Sequence, residues 1–541
     1  MQLKTLLEGF CPCLAMESDM PISGLTLDSR QAVAGNLFIA LAGARQHGLA
    51  HAEQALLNGA CAIIFDPSGN GRQLAEQINA AQPANTVPII AIDNLSFVVG
   101  DIAARFYGHP SRRLNVIGIT GTNGKTSCSQ FLGQLLDDCG IIGTLGWGEW
   151  GKLNKTLNTT PDAVAIQKIL AELVTLNKQA VAMEVSSHGL EQRRVNGVYF
   201  KAAVFTNISR DHLDYHGTME AYLQAKLALL NKPGLEFAVV NMDDAYSKRI
   251  IAAIPESVTI WGVSAKGLAP DSGESVIAEN ILYKEDGIEF DIRWTTAGTQ
   301  EVEQCQEQLS TTAEMQESLL RETVQRVVVP LYGDFNSENV LCVLAVLLAM
   351  GVSLADAANK LTQIKPVAGR MERFGGNTEP LVFVDYAHTP DALEKVLSSL
   401  RKHCHGALWL VFGCGGNRDT GKRPQMGGIA THWADHVIIT DDNPRFENSR
   451  DIINDILAGC SSAIADDCMD AGGRTMQGAI VEIIENREHA IRNAIARAAH
   501  NDCIVIAGKG HEDYQEVNGV QQPFSDQQVV IDALKMRIGK V

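Results

Sequence analysis

The fold is decided by the stretch Asn115-Val116-Ile117-Gly118-Ile119-Thr120-Gly121-Thr122-Asn123-Gly124-Lys125-Thr126. Residues 115–119 read as a buried strand, and a helix is expected over 127–138. A strand, a glycine loop, a Lys-Thr pair and a helix, in that order, make a cradle for phosphate. Gly121 and Gly124 let backbone N–H groups face an anion, with Thr122 and Asn123 between them. Lys125 can reach the outer phosphates, and the Thr126 hydroxyl can ligate Mg²⁺. Ile119 stands five residues before Gly124, where the common spacing wants glycine. That sets the loop apart from a generic kinase or GTPase. The plain alternative is an ordinary glycine-rich turn, and the Lys-Thr pair at a strand-to-helix junction argues against it. The stretch therefore predicts an ATP site.

Outward from this loop, short apolar runs alternate with amphipathic helices, the signature of α/β domains. Strands are expected at 180–185, 202–205, 237–241, 381–384, 408–412, 437–440 and 503–507. Helices are expected at 219–230, 390–403 and 487–500, and the apolar run 340–352 reads as a buried helix. Three blocks follow: 1–110, 111–329 and 330–541. The stretch 295–323, rich in Thr, Gln and Glu, reads as an exposed insertion, partly helical at 306–321.

The 541 residues are too many for one domain. Sixty-three acidic against 45 basic side chains leave a net charge of -18, which argues against non-specific binding to nucleic acid or anionic membranes. A phosphorylated small molecule is still allowed. The 12 cysteines lack zinc-ligand spacing and read as reduced thiols. Glu8 interrupts the apolar N-terminus, a poor secretory signal, and 340–352 is too short to span a bilayer. A cytoplasmic protein with no integral membrane segment is expected.

Two later loops carry further chemistry. Glu184 lies near the end of a predicted strand, where ligands gather in parallel α/β sheets. His212, in Asp211-His212-Leu213-Asp214, follows the next strand as a candidate metal or phosphate contact. Lys226, read alone, is a solvated helix lysine.

Together, 121–126, 183–190 and 206–216 resemble the Mur ligases, which add amino acids to UDP-N-acetylmuramic acid. The resemblance runs from Thr26-Leu27-Asp28-Ser29-Arg30 to Gly508-Lys509-Gly510-His511-Glu512. It implies three α/β domains: an N-terminal uridine-nucleotide domain, a central P-loop ATPase-like parallel sheet and a C-terminal Rossmann-like domain. By resemblance, Leu27 and Ser29 contact the uridine diphosphate. Asn158, Thr159, Thr160, Ser186, Gln192 and Arg194 hold the sugar-peptide. Glu184 and His212 take the Mg²⁺ and phosphate positions. Lys226 sits where the family carries a carbamylated lysine, which turns a cation into an oxygen ligand for Mg²⁺. Asn336, Asn339 and Arg370 match nucleotide contacts, and Asp385-Tyr386-Ala387-His388 faces the same cleft.

Within the family the chain looks most like members that add the third peptide residue. Asp442-Asn443-Pro444-Arg445 is the form of ligases for meso-diaminopimelate; lysine-adding members usually lack the arginine. Diaminopimelate differs from lysine by a distal carboxylate, which Arg445 can bind as a bidentate pair. Arg418 is the expected second arginine, and Gly508 and Glu512 match further contacts, Glu512 suited to the distal ammonium. The implied reaction is ATP-dependent amide formation on UDP-N-acetylmuramoyl-L-alanyl-D-glutamate through an acyl phosphate, by a monomer. The rivals are the same reaction with L-lysine, a folylpolyglutamate synthase-like ligase, and a silent regulatory relative. Asp442–Arg445 and the intact Lys125, Glu184, His212 and Lys226 argue against them. Three features depart from the family pattern: the 295–323 stretch, an expanded 459–474, and His47-Gly48 where many relatives carry Asp-Gly.

Overall fold

A computed structural model describes residues 1–11, 20–43, 46–81, 87–284, 287–295, 323–376, 378–463 and 478–538. The expected insertion helix at 306–321 and most of 459–474 lie outside the described residues.

Three sheets carry the chain. The first has four parallel strands in sequence order, Gly24–Thr26, Asn36–Ala40, Ala62–Phe65 and Ile89–Ala91. The helix Leu95–Phe106 packs on one face, and Ala52–Leu57 with Gly71–Ala81 on the other.

The central sheet has 11 strands. Its parallel heart runs Thr259–Ser264, Phe237–Asn241, Ala202–Phe205, Asn115–Thr120, Ala180–Glu184, Cys139–Gly143. Such strands are apolar on both faces because helices cover both. Ile117 and Ile119 enter the core beneath helix Lys125–Leu135, while Val116 enters the opposite one, the two-residue period of a strand. After Ala180–Glu184 the chain crosses to the other side of Asn115–Thr120. The loops leaving Asn115–Thr120 and Ala202–Phe205 thus border a crevice at a topological switch point, where open α/β sheets bind ligands. Toward one edge, Gly287–Thr295 and Thr323–Val329 pair antiparallel, with Trp294 opposite Thr323.

The third sheet runs Glu372–Gly375, Leu381–Asp385, Cys503–Ala507, Leu408–Phe412, His436–Ile439, Ile480–Ile483, parallel except for its first strand. Helices Pro390–Arg401, Lys422–Trp433 and Ser449–Ala463 cover one face; Arg487–Arg497 and Asp526–Ile538 cover the other.

The helices Phe335–Ala349 and Leu354–Leu361, which follow Pro330, bury Val340–Leu348, Leu354 and Leu361 in the core of the central sheet. The helix Phe335–Ala349 is apolar nearly all round, as a helix enclosed on every side must be. Among the described residues, no helix is long and apolar enough to cross a membrane.

Candidate active site

The phosphate loop is built by backbone geometry. Gly124 caps the helix Lys125–Leu135 with φ +84, a left-handed conformation that glycine adopts without cost. A Cβ there would also lie 2.3 Å from Asn339 Oδ1. The loop is strapped to the neighbouring strand end: Thr122 N donates to Asn207 O (2.7 Å) and Asn123 N to Asn207 Oδ1 (3.0 Å). Thr206 Oγ1 donates to Asn123 O at 2.6 Å. Lys125 Nζ donates to the carbonyls of Gly121 (2.8 Å) and Thr122 (2.9 Å), which holds the ammonium over the loop. Burial lowers its pKa, against the opposing pull of Glu184.

Glu184 is fully buried at the end of its strand. Its carboxylate accepts from Thr126 Oγ1 (2.9 Å), Ser129 Oγ (3.3 Å), Thr144 N (2.9 Å) and Thr144 Oγ1 (3.0 Å). Gly143 makes room for it, since a Cβ there would lie 2.1 Å from Oε1. Lys226 is not a solvated lysine: it is 1 % exposed. Its Nζ donates to Gly121 O at 2.7 Å and lies 4.5 Å from the centre of the Tyr222 ring. Burial first, and the nearby Lys125 charge second, push its pKa well below the lysine range. A buried amine so placed favours its neutral, nucleophilic form. His212 sits at φ +53, half-buried, edge-on to His188 at 4.7 Å between ring centres. Burial lowers its pKa, opposed by Asp211. His188 is pushed down to about 4 by burial and then by His212.

These groups line one cavity of about 490 Å³, with Thr122–Ser127, Thr144, Thr159, Glu184, Ser186, His212 and Lys226 on one wall. Asn339, Arg370, Tyr386 and His388 are on the other. Arg370 Nη2 lies 3.4 Å from Thr126 Oγ1 and its guanidinium stacks on Tyr386. Asn336 does not line the cavity: its amide donates to Tyr332 O (2.7 Å) and its Oδ1 accepts from Asn339 (3.0 Å), so it orients Asn339 from behind. Across the walls, Asp391 Oδ2 accepts from both Asn123 Nδ2 and Ser209 Oγ, each at 3.0 Å. Asp391 was missed in the sequence, because its partners lie far away along the chain. Thr144 was missed too, although its place just after Cys139–Gly143, at the carboxyl end of a parallel strand, was a usable signal.

The expected sugar-peptide residues divide. Thr160 Oγ1 bonds Ser186 Oγ (3.0 Å) and Glu184 O (3.0 Å), and Arg194 reaches Thr160 O (2.8 Å) and Gln192 Oε1 (2.6 Å). Thr159 and Ser186 line the cavity. Asn158 is exposed. Leu27 and Ser29 lie apart on the N-terminal sheet, Ser29 with its hydroxyl on Gln54 (2.8 Å). His47 is buried, accepting from Leu49 N (3.1 Å) and bonded to Asp66 O (2.8 Å), so it organises its own loop.

The expected amino-acid residues gather at the carboxyl ends of His436–Ile439 and Cys503–Ala507. They lie outside the cavity wall and are joined to it through Tyr386, which packs on Gly510 and His511. Asn443 Nδ2 donates to Glu512 Oε2 at 2.8 Å. Lys509, fully buried and also missed in the sequence, donates to Asn443 Oδ1 (3.0 Å) and Glu512 Oε2 (2.9 Å). Asp442 Oδ1 is buried with no hydrogen-bond partner among the described residues, 3.8 Å from the Lys509 ammonium. Burial raises the Asp442 pKa. Pro444 precedes Arg445, whose Nη1 donates to Gly416 O (2.8 Å) and whose Nε lies 3.3 Å from Glu516. Arg418 is exposed on the loop of Gly416, which follows the strand Leu408–Phe412. A Cβ built on Gly415 would lie 2.9 Å from Arg445 Nη1 and 3.8 Å from Arg418 Cγ, so both arginines border one glycine.

Thr126 and Glu184 offer hard oxygen donors side by side. Among the described residues no cluster of three or more His, Cys, Asp or Glu side chains could hold a metal alone. Mg²⁺ typically binds through one or two protein oxygens plus phosphate and water.

Three family models match the chain: "Mur ligase family, catalytic domain" over residues 21–107, "Mur ligase middle domain" over 119–347, and "Mur ligase, glutamate ligase domain" over 369–510. A UDP-N-acetylmuramoyl-L-alanyl-D-glutamate–2,6-diaminopimelate ligase of Alkalilimnicola ehrlichii is 42% identical, with 99% of each chain covered. The enzyme of the same name from Pseudomonas aeruginosa is 44% identical over 94% of each. A solved structure of a ligase of that name superposes with a TM-score of 0.66 at 32% identity, covering 99% of both chains. The Mycobacterium tuberculosis folylpolyglutamate synthase, at 18% identity and a TM-score of 0.56, covers 76% of this chain and 92% of its own, and shares the fold.

Proposed function

The chain belongs to the Mur ligase family, and on that premise we propose that it joins meso-diaminopimelate to the D-glutamate of UDP-N-acetylmuramoyl-L-alanyl-D-glutamate. It is an ATP-dependent ligase that forms an amide bond in peptidoglycan precursor synthesis. The observation that carries the reading is one cavity with a contact leading out of it. Thr122–Thr126, Glu184 and Lys226 share a cavity with Arg370 and Tyr386, and Tyr386 packs on Gly510 and His511 of the loop that carries Glu512.

The γ-carboxylate of D-glutamate attacks the γ-phosphorus of ATP, giving an acyl phosphate and ADP. Lys125 and the loop amides meet the charge that develops on the transferred group. The amine of diaminopimelate then attacks the acyl carbon, the amide forms and phosphate leaves. His212, an imidazole whose pKa burial lowers and which shares a wall with Lys226, or water takes the amine's proton. Lys226, as a neutral amine, can add CO₂ and release a proton to become a carbamate. Thr126, Glu184 and that carbamate would hold Mg²⁺, which supplies neutralisation of phosphate charge. Asn339 and Arg370 contact the nucleotide, with Asn336 orienting Asn339. Thr159, Thr160, Ser186, Gln192 and Arg194 hold the sugar-peptide, with Asn158 at the rim, and Leu27 and Ser29 meet the uridine end. Arg445 and Arg418 bind the distal carboxylate of diaminopimelate, and Asp442, Asn443, Pro444, Gly508 and Glu512 shape its pocket. In this proposal the enzyme acts as a cytoplasmic monomer of three units.

The test is phosphate release with ATP and the UDP-linked dipeptide, with diaminopimelate or lysine as acceptor. Release dependent on diaminopimelate is expected; equal release with lysine would overturn the acceptor assignment.

A further inference from the structure

Arg487 and Asp526 form an ion pair sealed from solvent, both side chains 0% exposed. The contact is bidentate: Nε to Oδ1 at 2.8 Å and Nη2 to Oδ2 at 2.7 Å. Burying two charges recovers little net stability, so such a pair calls for another use. The remaining contacts of the guanidinium point to one. Nη2 also donates to Ala507 O at 2.9 Å, and Nη1 to Asp441 O at 3.3 Å. Ala507 ends the strand Cys503–Ala507, and Asp441 follows the strand His436–Ile439. The next residue in each case opens an amino-acid loop, Gly508 in one and Asp442 in the other. The two loops meet there, since a Cβ on Gly508 would lie 3.4 Å from Asp442 Oδ2.

One guanidinium thus grips the roots of two loops that are distant in sequence. Its carboxylate partner is the first residue of the helix Asp526–Ile538, and Arg487 is the first residue of Arg487–Arg497. Both helices pack on the sheet face opposite Pro390–Arg401. The grip is therefore anchored in the rigid core. The same cation is the largest charge opposing the burial of Asp442.

We propose that the Arg487–Asp526 pair is the positioning element of the amino-acid pocket. It sets the spacing between the Asp442–Arg445 and Gly508–Glu512 loops, and hence the affinity for the incoming diamino acid, without touching it. This rests on reading those loops as the amino-acid pocket.

The experiment measures KM for each of the three substrates. The wild type is run first with diaminopimelate and with lysine, which tests the acceptor assignment by itself. Variants are then run with whichever acceptor the wild type uses. Arg487→Lys keeps a charge but loses the fork, and Asp526→Asn keeps the shape but loses the charge. Each should raise the acceptor KM by roughly 10-fold or more, because small misplacements of binding groups are costly. KM for ATP and for the UDP-linked dipeptide should stay within about twofold. Arg487→Met combined with Asp526→Leu removes both charges while filling the space, a replacement that buried pairs tolerate. It keeps the test alive if the single variants do not fold, and it too should raise the acceptor KM alone. A lowered unfolding temperature with all three KM values unchanged, or a common rise in all three, would reduce the pair to a structural role and overturn the proposal.

Discussion

The proposed phosphate loop and the proposed amino-acid pocket are built by different means. Around Gly121–Thr126 the anion site is made by backbone: a left-handed glycine, a helix start, and straps from the adjacent strand end. Around Arg445 the site is made by side chains from three distant segments, with Lys509 buried at its centre and Arg487 beneath it. A backbone site is set mostly by a short contiguous stretch and recognises the charge and shape of phosphate. A side-chain site needs remote partners but can distinguish one amino acid from another. Mutations should therefore stop all chemistry in the first region and alter acceptor preference in the second.

The sharpest break of that contrast is Lys125→Ala. Turnover should fall on the order of 1,000-fold with every acceptor, as expected when a charge stabiliser of the transition state is lost. Retained ATP-dependent product formation would sink the loop assignment. Lys226→Ala should cost on the order of 100-fold or more in kcat. A mass gain of one CO₂ on the wild-type peptide bearing Lys226, absent from the variant, would tie the loss to the carbamate. Arg445→Ala should instead leave the ATP KM alone and raise the diaminopimelate KM by roughly 10- to 100-fold, the loss of a charge-assisted pair. If both KM values rose equally, Arg445 would be a structural residue and the contrast would fail.

Gly124→Ala probes the backbone site without changing charge. Its φ of +84 and the 2.3 Å approach of Asn339 Oδ1 should cost about 1–2 kcal/mol, read as a lower unfolding temperature and weaker ATP binding. A separate effect is on pH. His188, His388 and His511 are each held at about 4 by burial, against an ordinary 6.5. The unfolded chain takes up their protons below 6.5 while the folded chain resists until about 4, so stability should fall as pH drops through that window. A thermal-unfolding series over that range should show the slope, and His388→Asn should flatten part of it. An unchanged slope in that variant would falsify its share.

What the sequence made legible follows the same division. Residues 115–126 announced a strand, loop and helix, and the structure has all three, with the helix starting at Lys125. The parallel strands near 180, 202, 237, 381, 408, 437 and 503 were visible because strands buried on both faces are continuously apolar. The antiparallel strands toward one edge, Gly287–Thr295 and Thr323–Val329, were not, because they mix polar and apolar residues. The helix Phe335–Ala349 was recognised as buried, but apolar residues all round do not say which sheet they face. In the site, Lys125, Glu184 and Lys226 could be named from local motifs and family resemblance. Asp391, Lys509 and Arg487 could not, since their meaning lies in partners that only folding brings near.

Asp391 has a thermodynamic consequence. One of its oxygens takes hydrogen bonds from Asn123 in the nucleotide loop and from Ser209 beside it, while its helix lies on the sheet that carries the acceptor pocket. In the proposed reaction, an atom shared in this way would couple the two binding events. Whatever factor bound nucleotide lends to acceptor affinity, bound acceptor must return to nucleotide affinity. A charge-neutral change at Asp391 should shrink both factors together.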